Sequence, residues 1–183
     1  MEDLSRLQEE IIGEQGLPCP VCGPRGRTVL AFRQTGRSIH RCKECGVEFQ
    51  YPQPSDAMLA SIYTNDYFLG SEDEDARSAM EALKSATARL YLQWIKALVN
   101  APAPRLLEIG CGSGDFLVEA QSNGFEVEGL EYSPHAVSTA NARLSREAVR
   151  VGSLETSHLP ASAYDVAAAF DVIEHLRDPV SSI

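Results

Sequence analysis

Two pairs of cysteines near the start of the chain have the spacing of a metal site. Two residues separate the cysteines within each pair, so a tight turn can direct both thiolates at one ion. Four thiolates complete a tetrahedral zinc site and leave no position open for a catalytic water. The sequence therefore predicts a structural zinc ribbon over residues 18–51, a segment too short to fold around a hydrophobic core without the metal. The predicted ligands are Cys19, Cys22, Cys42 and Cys45.

A redox role is the alternative for these cysteines. Paired thiols in a C-x-x-C sequence exchange disulfides where the motif lies in a strand–helix unit of the thioredoxin kind. Neither pair opens a helix after a predicted strand, so we favour the metal site.

A second group of residues combines an acidic strand end with closely spaced glycines. Residues 106–114 read Leu-Leu-Glu-Ile-Gly-Cys-Gly-Ser-Gly, an apolar strand that leads into a turn and then a helix. Backbone amides in such a turn can approach a nucleotide-like ligand closely. The dinucleotide-binding pattern requires glycine at position 115, but Asp115 stands there and disfavours a pyrophosphate. Glu108 adds a carboxylate that suits a ligand with an ammonium group.

The next predicted strand also ends in an acidic residue, Glu131. Its carboxylate can accept hydrogen bonds from two ribose hydroxyls. The alternative is that Glu131 caps the helix that follows. Cys111, inside the glycine turn, is interpreted as a small apolar residue rather than a nucleophile.

In their order along the chain, these features resemble the class I S-adenosylmethionine-dependent methyltransferases, over residues 104–179. The resemblance implies that residues 108–114 hold the methionine end of the methyl donor and that Glu131 binds its ribose. It also places Tyr132 near the adenine, and Ser153 in a loop where many members of the family have an aspartate. The donor-binding residues implied in this way are Glu108, Gly110, Cys111, Gly112, Gly114, Glu131, Tyr132, Ser153, Leu154 and Phe170.

Residues 164–179 resemble the fourth strand and following loop of a subgroup that methylates small molecules such as quinones, sugars and polyketides. Glu174 and His175 follow this strand and are the candidate general bases for a hydroxyl or amine acceptor. Helix capping or packing explains the same two residues equally well. We expect S-adenosylmethionine-dependent methyl transfer to a small-molecule acceptor. The alternatives are an RNA methyltransferase that uses a basic ribbon, and a non-catalytic module that binds zinc and the methyl donor.

The charge of the chain argues against a surface that binds nucleic acid or anionic membrane as a whole. Asp and Glu number 26 against 16 Lys and Arg, for a formal net charge of -10. Positive charge is concentrated in the predicted ribbon, where a zinc tetrathiolate would offset part of it. The acidic N-terminal residues do not resemble a signal peptide, and apolar runs are too short for a membrane helix. We therefore expect a cytoplasmic protein with no membrane partner.

Short apolar strands alternate with helices from residue 105 onward, which predicts an α/β fold with a parallel sheet. The predicted strands are 105–109, 126–130, 149–151 and 165–170, and the predicted helices are 115–122 and 134–144. In the ribbon, short alternating runs predict strands at 28–32, 38–41 and 47–51. Two helices are predicted before the sheet, from apolar residues at helical spacing. One face of the second helix carries Met80, Leu83, Thr87, Leu90, Trp94 and Leu98. The predicted segments are 1–17, acidic; 18–51, the zinc ribbon; 52–103, a helical connector; and 104–183, the sheet domain.

The family resemblance implies a partial Rossmann-like sheet in the order 3-2-1-4, with the remaining strands of the family absent. Asp178 and Pro179 have the residue types of a helix start, so we expect the chain to be the N-terminal part of a longer enzyme. The exposed edge of the fourth strand, residues 166–170, then predicts self-association.

Overall fold

A computed structural model describes residues 16–34, 36–62 and 74–182, so most of the predicted acidic segment 1–17 lies outside the described residues. The strands are β1 (Thr28–Gln34), β2 (Arg37–Cys42), β3 (Glu48–Tyr51), β4 (Arg105–Ile109), β5 (Glu126–Glu131), β6 (Val149–Val151) and β7 (Val166–Ala169). The helices are α1 (Asp56–Ile62), α2 (Glu74–Leu98), α3 (Asp115–Ser122), α4 (Pro134–Leu144) and α5 (Pro179–Ser182), with a short 3-10 helix at Ile173–His175. The chain divides into two compact units, Met1–Ser55 with Leu176–Ile183 and Asp56–His175.

The first unit contains a three-stranded antiparallel sheet in the order β1-β2-β3. Its three short strands confirm the strands expected between the turns of the cysteine-containing segment. β1 continues past its expected end, because Arg33 pairs with Ser38 and Gln34 pairs with Arg37 across the turn. This small sheet carries Cys42 at the end of β2.

The second unit contains a four-stranded parallel sheet, and this mixed α/β architecture confirms the predicted fold class. Its strands lie in the order β6-β5-β4-β7, which is 3-2-1-4 when they are numbered along the chain. The two central strands bury their apolar residues completely or nearly so, as an interior parallel sheet requires. The most buried of them are Leu106, Leu107, Val127 and Leu130.

Helices α3 and α4 begin and end where the sequence predicts. Gly114 precedes α3 with a left-handed backbone (φ 78°), a conformation that glycine adopts without strain. Ser133 caps α4 by accepting a hydrogen bond from Ala136 N–H, and Pro134 occupies the first turn. These local signals position the two turns that follow β4 and β5.

β7 is shorter than the predicted strand 165–170. The Asp165 carboxylate accepts a hydrogen bond from Arg105 N–H (2.8 Å), so this residue ties the start of β7 to β4 instead of extending the strand. At the other end, Asp171 has a left-handed backbone (φ 54°) that turns the chain out of the strand. Phe170 therefore follows β7, and its ring packs against Tyr91 and Phe116.

Helix α2 packs on α3 through Ala88 and Leu92, both of which are buried. Among the described helices, none combines the length and the apolar character that crossing a membrane requires.

Candidate functional site

The carboxyl ends of β4 and β5 lie side by side and bring two acidic residues to one edge of the sheet. Glu108 is the penultimate residue of β4, and Glu131 is the last residue of β5. The loop after β4 is fastened to β5, because Gly110 N–H and Cys111 N–H both donate to Leu130 O (2.8 and 3.2 Å). In open parallel sheets, ligands bind in the crevice outside such strand ends.

The glycines of this loop have different surroundings. A Cβ added at Gly114 would lie 3.0 Å from the Ala140 Cβ, so a side chain there would collide with α4. A Cβ added at Gly112 would have no described heavy atom within 4 Å, although its backbone is also left-handed (φ 51°). Gly112 therefore faces open space, where a ligand could approach the backbone.

Glu131 is 6% exposed, and both of its carboxylate oxygens hold backbone amides in place. Gly112 N–H donates to Oε2 and Ser133 N–H donates to Oε1, each at 2.8 Å. The carboxylate thus joins the loop after β4 to the loop after β5. Each oxygen keeps a further lone pair, so the carboxylate can also accept bonds from ligand hydroxyls.

Glu108 is 5% exposed, and its Oε2 has no hydrogen-bond partner among the described residues. Burial raises the pKa of this carboxyl well above its usual range, and the negative charges of Asp115 and Glu131 raise it further. The neighbouring strands place Gly129 and Ala168 beside it, neither of which can neutralise a charge. Burial therefore favours the protonated form of Glu108, and a cation beside it would favour the carboxylate.

Asp115 is already neutralised by two basic residues. Lys84 donates to Oδ2 (3.1 Å) and Arg143 donates to Oδ1 (2.6 Å). Partial burial raises the pKa of Asp115, but the bonds from Arg143 and Lys84 outweigh that effect and hold the pKa below its usual value. Arg143 also donates to Ser113 O (2.8 Å), so it secures the glycine loop. Sequence reasoning missed Lys84 and Arg143 because no local pattern links them to position 115.

Cys111 packs inside the loop. It is buried, and burial raises the pKa of its thiol, with Glu108 and Glu131 adding to the shift. A Cβ added at Gly129 would lie 2.8 Å from the Cys111 Sγ, so the sulfur fills the space beside β5. A buried protonated thiol is a poor nucleophile.

The remaining predicted donor-site residues differ in their exposure and in their contacts. Tyr132 is exposed directly after Glu131. Ser153 lies in a loop that Gly152 N–H fastens to Glu131 O (2.9 Å), and its hydroxyl bonds to Thr156 Oγ1 (3.1 Å). Leu154 follows in the same loop and is partly buried. The Phe170 ring is committed to packing, with its centroid 4.7 Å from Tyr91 and 4.8 Å from Phe116.

Glu174 and His175 lie on the exposed 3-10 helix after β7. His175 N–H donates to Val172 O (2.9 Å), which closes this turn. The structure places both residues at the surface just past the sheet edge, where neither is buried.

The four cysteines of the first unit come together. Their sulfur atoms all lie within 4.8 Å of one another. The Sγ atoms of Cys19 and Cys45 are 3.7 Å apart, close to the roughly 3.8 Å edge of a tetrahedron with metal–sulfur bonds of about 2.3 Å. Val21 N–H and Cys22 N–H donate to the Cys19 sulfur (3.4 and 3.3 Å). This donor set fits a zinc ion.

The cluster also has the ionisation pattern of thiols that need a cation. A hydrogen bond with Cys45 is the largest of the causes that raise the pKa of Cys22, to about 12. Backbone amide bonds, chiefly that of Cys45, lower the pKa of Cys42 to about 7. A bound metal ion would favour the thiolate form of the cysteines that ligate it. A Cβ added at Gly26 would lie 2.5 Å from the Cys19 Cβ, so glycine is required against the cluster.

Two of the basic residues in the ribbon are paired with acids. Arg27 Nε lies 2.9 Å from Glu44 Oε1, and an Arg41 Nη2–Glu48 Oε1 pair is 2.5 Å long. The positive charge available to an RNA phosphate is smaller than the sequence count suggests. The RNA alternative gains no support from these contacts.

Comparisons with known proteins identify relatives of this chain among methyltransferases. A family model described as a methyltransferase domain matches residues 80–182. Over 99 residues, 29% are identical to a ubiquinone biosynthesis O-methyltransferase of Burkholderia thailandensis, covering 51% of this chain and 43% of that protein. Over 76 residues, 38% are identical to a probable S-adenosylmethionine-dependent methyltransferase of Mycolicibacterium smegmatis, covering 40% of this chain and 28% of that protein.

Among solved structures, the magnesium protoporphyrin IX methyltransferase of Synechocystis PCC 6803 with bound SAM has a similar fold. The TM-score is 0.53 with 16% sequence identity, and the match covers 68% of this chain and 66% of that chain. The chain spans less than half the length of the curated relatives given above.

Proposed function

The chain belongs to the methyltransferase-domain family, and from that premise we propose that it binds S-adenosylmethionine and transfers the methyl group to a small-molecule acceptor. The donor would lie across the carboxyl ends of β4 and β5. Its proposed contacts are Glu108, Gly110, Cys111, Gly112, Gly114, Glu131, Tyr132, Ser153, Leu154 and Phe170.

The observation that carries this proposal is the buried Glu108 carboxyl without a described partner. A buried ionised carboxylate is costly unless a cation and hydrogen bonds compensate it. Asp115 and Glu131 already have partners, so Glu108 is the one of these three carboxyls that lacks one. The ammonium group at the methionine end of the donor has the charge that Glu108 requires.

Glu131 and Gly112 also favour a ligand that contains a ribose. The Glu131 carboxylate is held between two backbone amides, so its orientation is fixed before a ligand arrives. A fixed acceptor suits the paired hydroxyls of a ribose, because both can donate to one carboxylate. Open space above Gly112 allows the ligand to reach the loop backbone.

When bound, S-adenosylmethionine supplies a methyl group on a positively charged sulfur, ready for in-line displacement by an acceptor atom. The residues of the chain bind and orient, and the carboxylates at the strand ends keep the local potential negative. Glu174 and His175 are the proposed proton acceptors for a hydroxyl or amine, since they lie on the turn that follows β7. The relatives named for ubiquinone biosynthesis support an acceptor among small organic molecules.

The test is a calorimetric titration of the full chain, with zinc present, with S-adenosylhomocysteine. We expect saturable binding. The variant Gly112→Ala places a methyl group in the open space of the loop and should weaken binding at least tenfold, about 1.4 kcal/mol. Left-handed alanine costs about 1–2 kcal/mol of folding free energy, which the protein should tolerate.

Gly124→Ala is the matched control. Gly124 is also left-handed (φ 89°) and also faces open space, but it lies in the turn after α3. It should lose similar stability and keep its affinity for S-adenosylhomocysteine. A folded chain that binds no S-adenosylhomocysteine would refute the proposed function.

We also propose that Cys19, Cys22, Cys42 and Cys45 hold one structural zinc ion. The sulfur distances and the hydrogen bonds to Cys19 support a closed site of this kind. Four protein ligands leave no open position, so the ion would stabilise the ribbon and take no part in the methyl transfer.

A further inference from the structure

Three basic residues of helix α2 are paired across its contact with α3. Lys84 bonds to Asp115, Arg89 to Glu119 (3.1 Å), and Lys96 to Asn123 (2.8 Å). All three partners belong to α3 or to the turn after it. The residues of α2 that face the core are apolar, as is usual for a surface helix, with Ala88 and Leu92 buried.

The outward side of α2 is apolar. We call its six residues at helical spacing the outer stripe: Met80, Leu83, Thr87, Leu90, Trp94 and Leu98. Four large side chains of the stripe are more than half exposed: Met80 at 53%, Leu83 at 61%, Trp94 at 60% and Leu98 at 83%. On one side of the stripe the exposed flanking residues are uncharged: Ala79, Ala82, Ala86, Gln93 and Ala97. On the other side lies exposed Lys84, whose charge is paired with Asp115. A contiguous apolar face of this kind marks an interaction surface.

The spacing of the outer stripe is that of a helix-pairing seam. From Met80 to Trp94 its members are alternately three and four residues apart, as in the apolar positions of a coiled coil. Small flanking alanines let a second helix approach closely. The stripe extends about 27 Å, because an α-helix rises about 1.5 Å per residue.

We infer that the outer stripe of α2 is the contact surface for a second copy of this chain, in an antiparallel two-fold helix pair. The stripe is complementary to itself. A two-fold axis between Ala88 and Arg89 places Leu83 opposite Trp94 of the second copy and Thr87 opposite Leu90. A charged partner would find no counter-charge on this face, whereas a second stripe meets it without repulsion.

The dimer should be reversible. The six stripe residues and their five flanking residues make eleven per copy, about half of the 20–30 residues per side in a standard interface. This size places the pair with weak, transient interfaces. Trp94 is the residue with the largest apolar surface in the stripe, and tryptophan often dominates binding energy in such contacts.

The test is sedimentation of the full, zinc-loaded chain over a wide range of protein concentration. We expect a concentration-dependent monomer–dimer equilibrium. Trp94→Glu and, separately, Leu83→Glu should each raise the dimer dissociation constant at least tenfold, since each would bury a charge against an apolar stripe. Both residues are exposed in the monomer, so these variants should fold, and their binding of S-adenosylhomocysteine provides an independent check.

Two control variants separate the outer stripe from other surfaces. Ala142→Glu adds the same charge to an exposed position of α4 and should leave the dimer unchanged. Ala167→Lys adds a charge to an exposed residue of the edge strand β7. Dimerisation that survives both stripe variants but is lost with Ala167→Lys would overturn the inference in favour of the sheet edge. A monomer at every concentration would also overturn it, with no consequence for the proposed methyl transfer.

Discussion

At the scale of single residues, the candidate site depends on three carboxyls that the fold brings close together. Asp115 is neutralised by Lys84 and Arg143, and Glu131 accepts hydrogen bonds from two backbone amides. Glu108 has neither kind of partner among the described residues. The sequence motif identified Glu108 and Glu131 as acidic strand ends, but only the packing distinguishes their electrostatic states, because Lys84 and Arg143 lie on other helices.

Glu108 should make ligand binding depend on pH. Its raised pKa favours the protonated carboxyl in the free protein, whereas an ammonium ligand favours the carboxylate, so we expect binding to release protons. Affinity for S-adenosylhomocysteine should therefore rise with pH, by up to about tenfold per pH unit, and level off above the raised pKa. Titrations in buffers of different ionisation enthalpy should show proton release. Binding without any proton release would contradict this role of Glu108 while leaving the proposed function intact.

Glu108→Gln should separate stability from binding. Because the folded state holds this proton more tightly than the unfolded state, wild-type stability falls as pH rises above the ordinary glutamate pKa. The variant removes that loss, so its melting temperature at neutral pH should equal or exceed that of the wild type. Its affinity for S-adenosylhomocysteine should fall and should no longer vary with pH through the residue at position 108. Glu126→Gln, an exposed change at the other end of β5, is the control and should alter neither property.

At the scale of helices and strands, elements that end at local signals could be predicted from the sequence and those that end through distant contacts could not. Ser133 and Pro134 define the start of α4. The end of β7 depends on the left-handed Asp171 and on the packing of Phe170 against α2. No local sequence signal predicts either feature. The apolar stripe of α2 was evident in the sequence, but its outward direction follows from the packing of the helix on α3.

Gly114 is the residue on which the packing of α3 against α4 depends. Gly114→Ala should destabilise the protein by at least about 1 kcal/mol more than Gly124→Ala, because only the former combines left-handed strain with a methyl group 3.0 Å from Ala140. Urea unfolding of the two variants measures the difference. The double variant Gly114→Ala with Ala140→Gly should be destabilised by less than the sum of the two single variants, since it removes the opposing methyl group. Equal losses in the two single variants would show that the contact with Ala140 is unimportant.

At the scale of the whole molecule, the two units should respond differently to metal removal. The ribbon unit has its cysteine cluster at its centre, whereas the sheet unit has an apolar core of its own. A chelator should unfold residues 18–51 and leave the binding of S-adenosylhomocysteine in place. Nuclear magnetic resonance spectra with and without chelator can follow each unit separately.

Elemental analysis should find about one zinc per chain, as a closed four-cysteine site requires. Cys42→Ser should lose the zinc and Cys111→Ala should keep it, because Cys111 belongs to the buried glycine loop. A chain that keeps its zinc as Cys42→Ser, or a ribbon that stays folded without metal, would contradict the structural role of the cluster.

Because Trp94 lies in the outer stripe, its intrinsic fluorescence should report whether the stripe is buried. Trp94 is the one tryptophan of the chain, and its ring lies 5.8 Å from that of Tyr91, which stacks on Phe170. Indole emission shifts to shorter wavelength when water leaves the ring. Burial of the outer stripe should therefore shift the emission maximum of the unlabelled protein. Quenching of this emission by iodide measures how much of the Trp94 ring remains exposed to solvent.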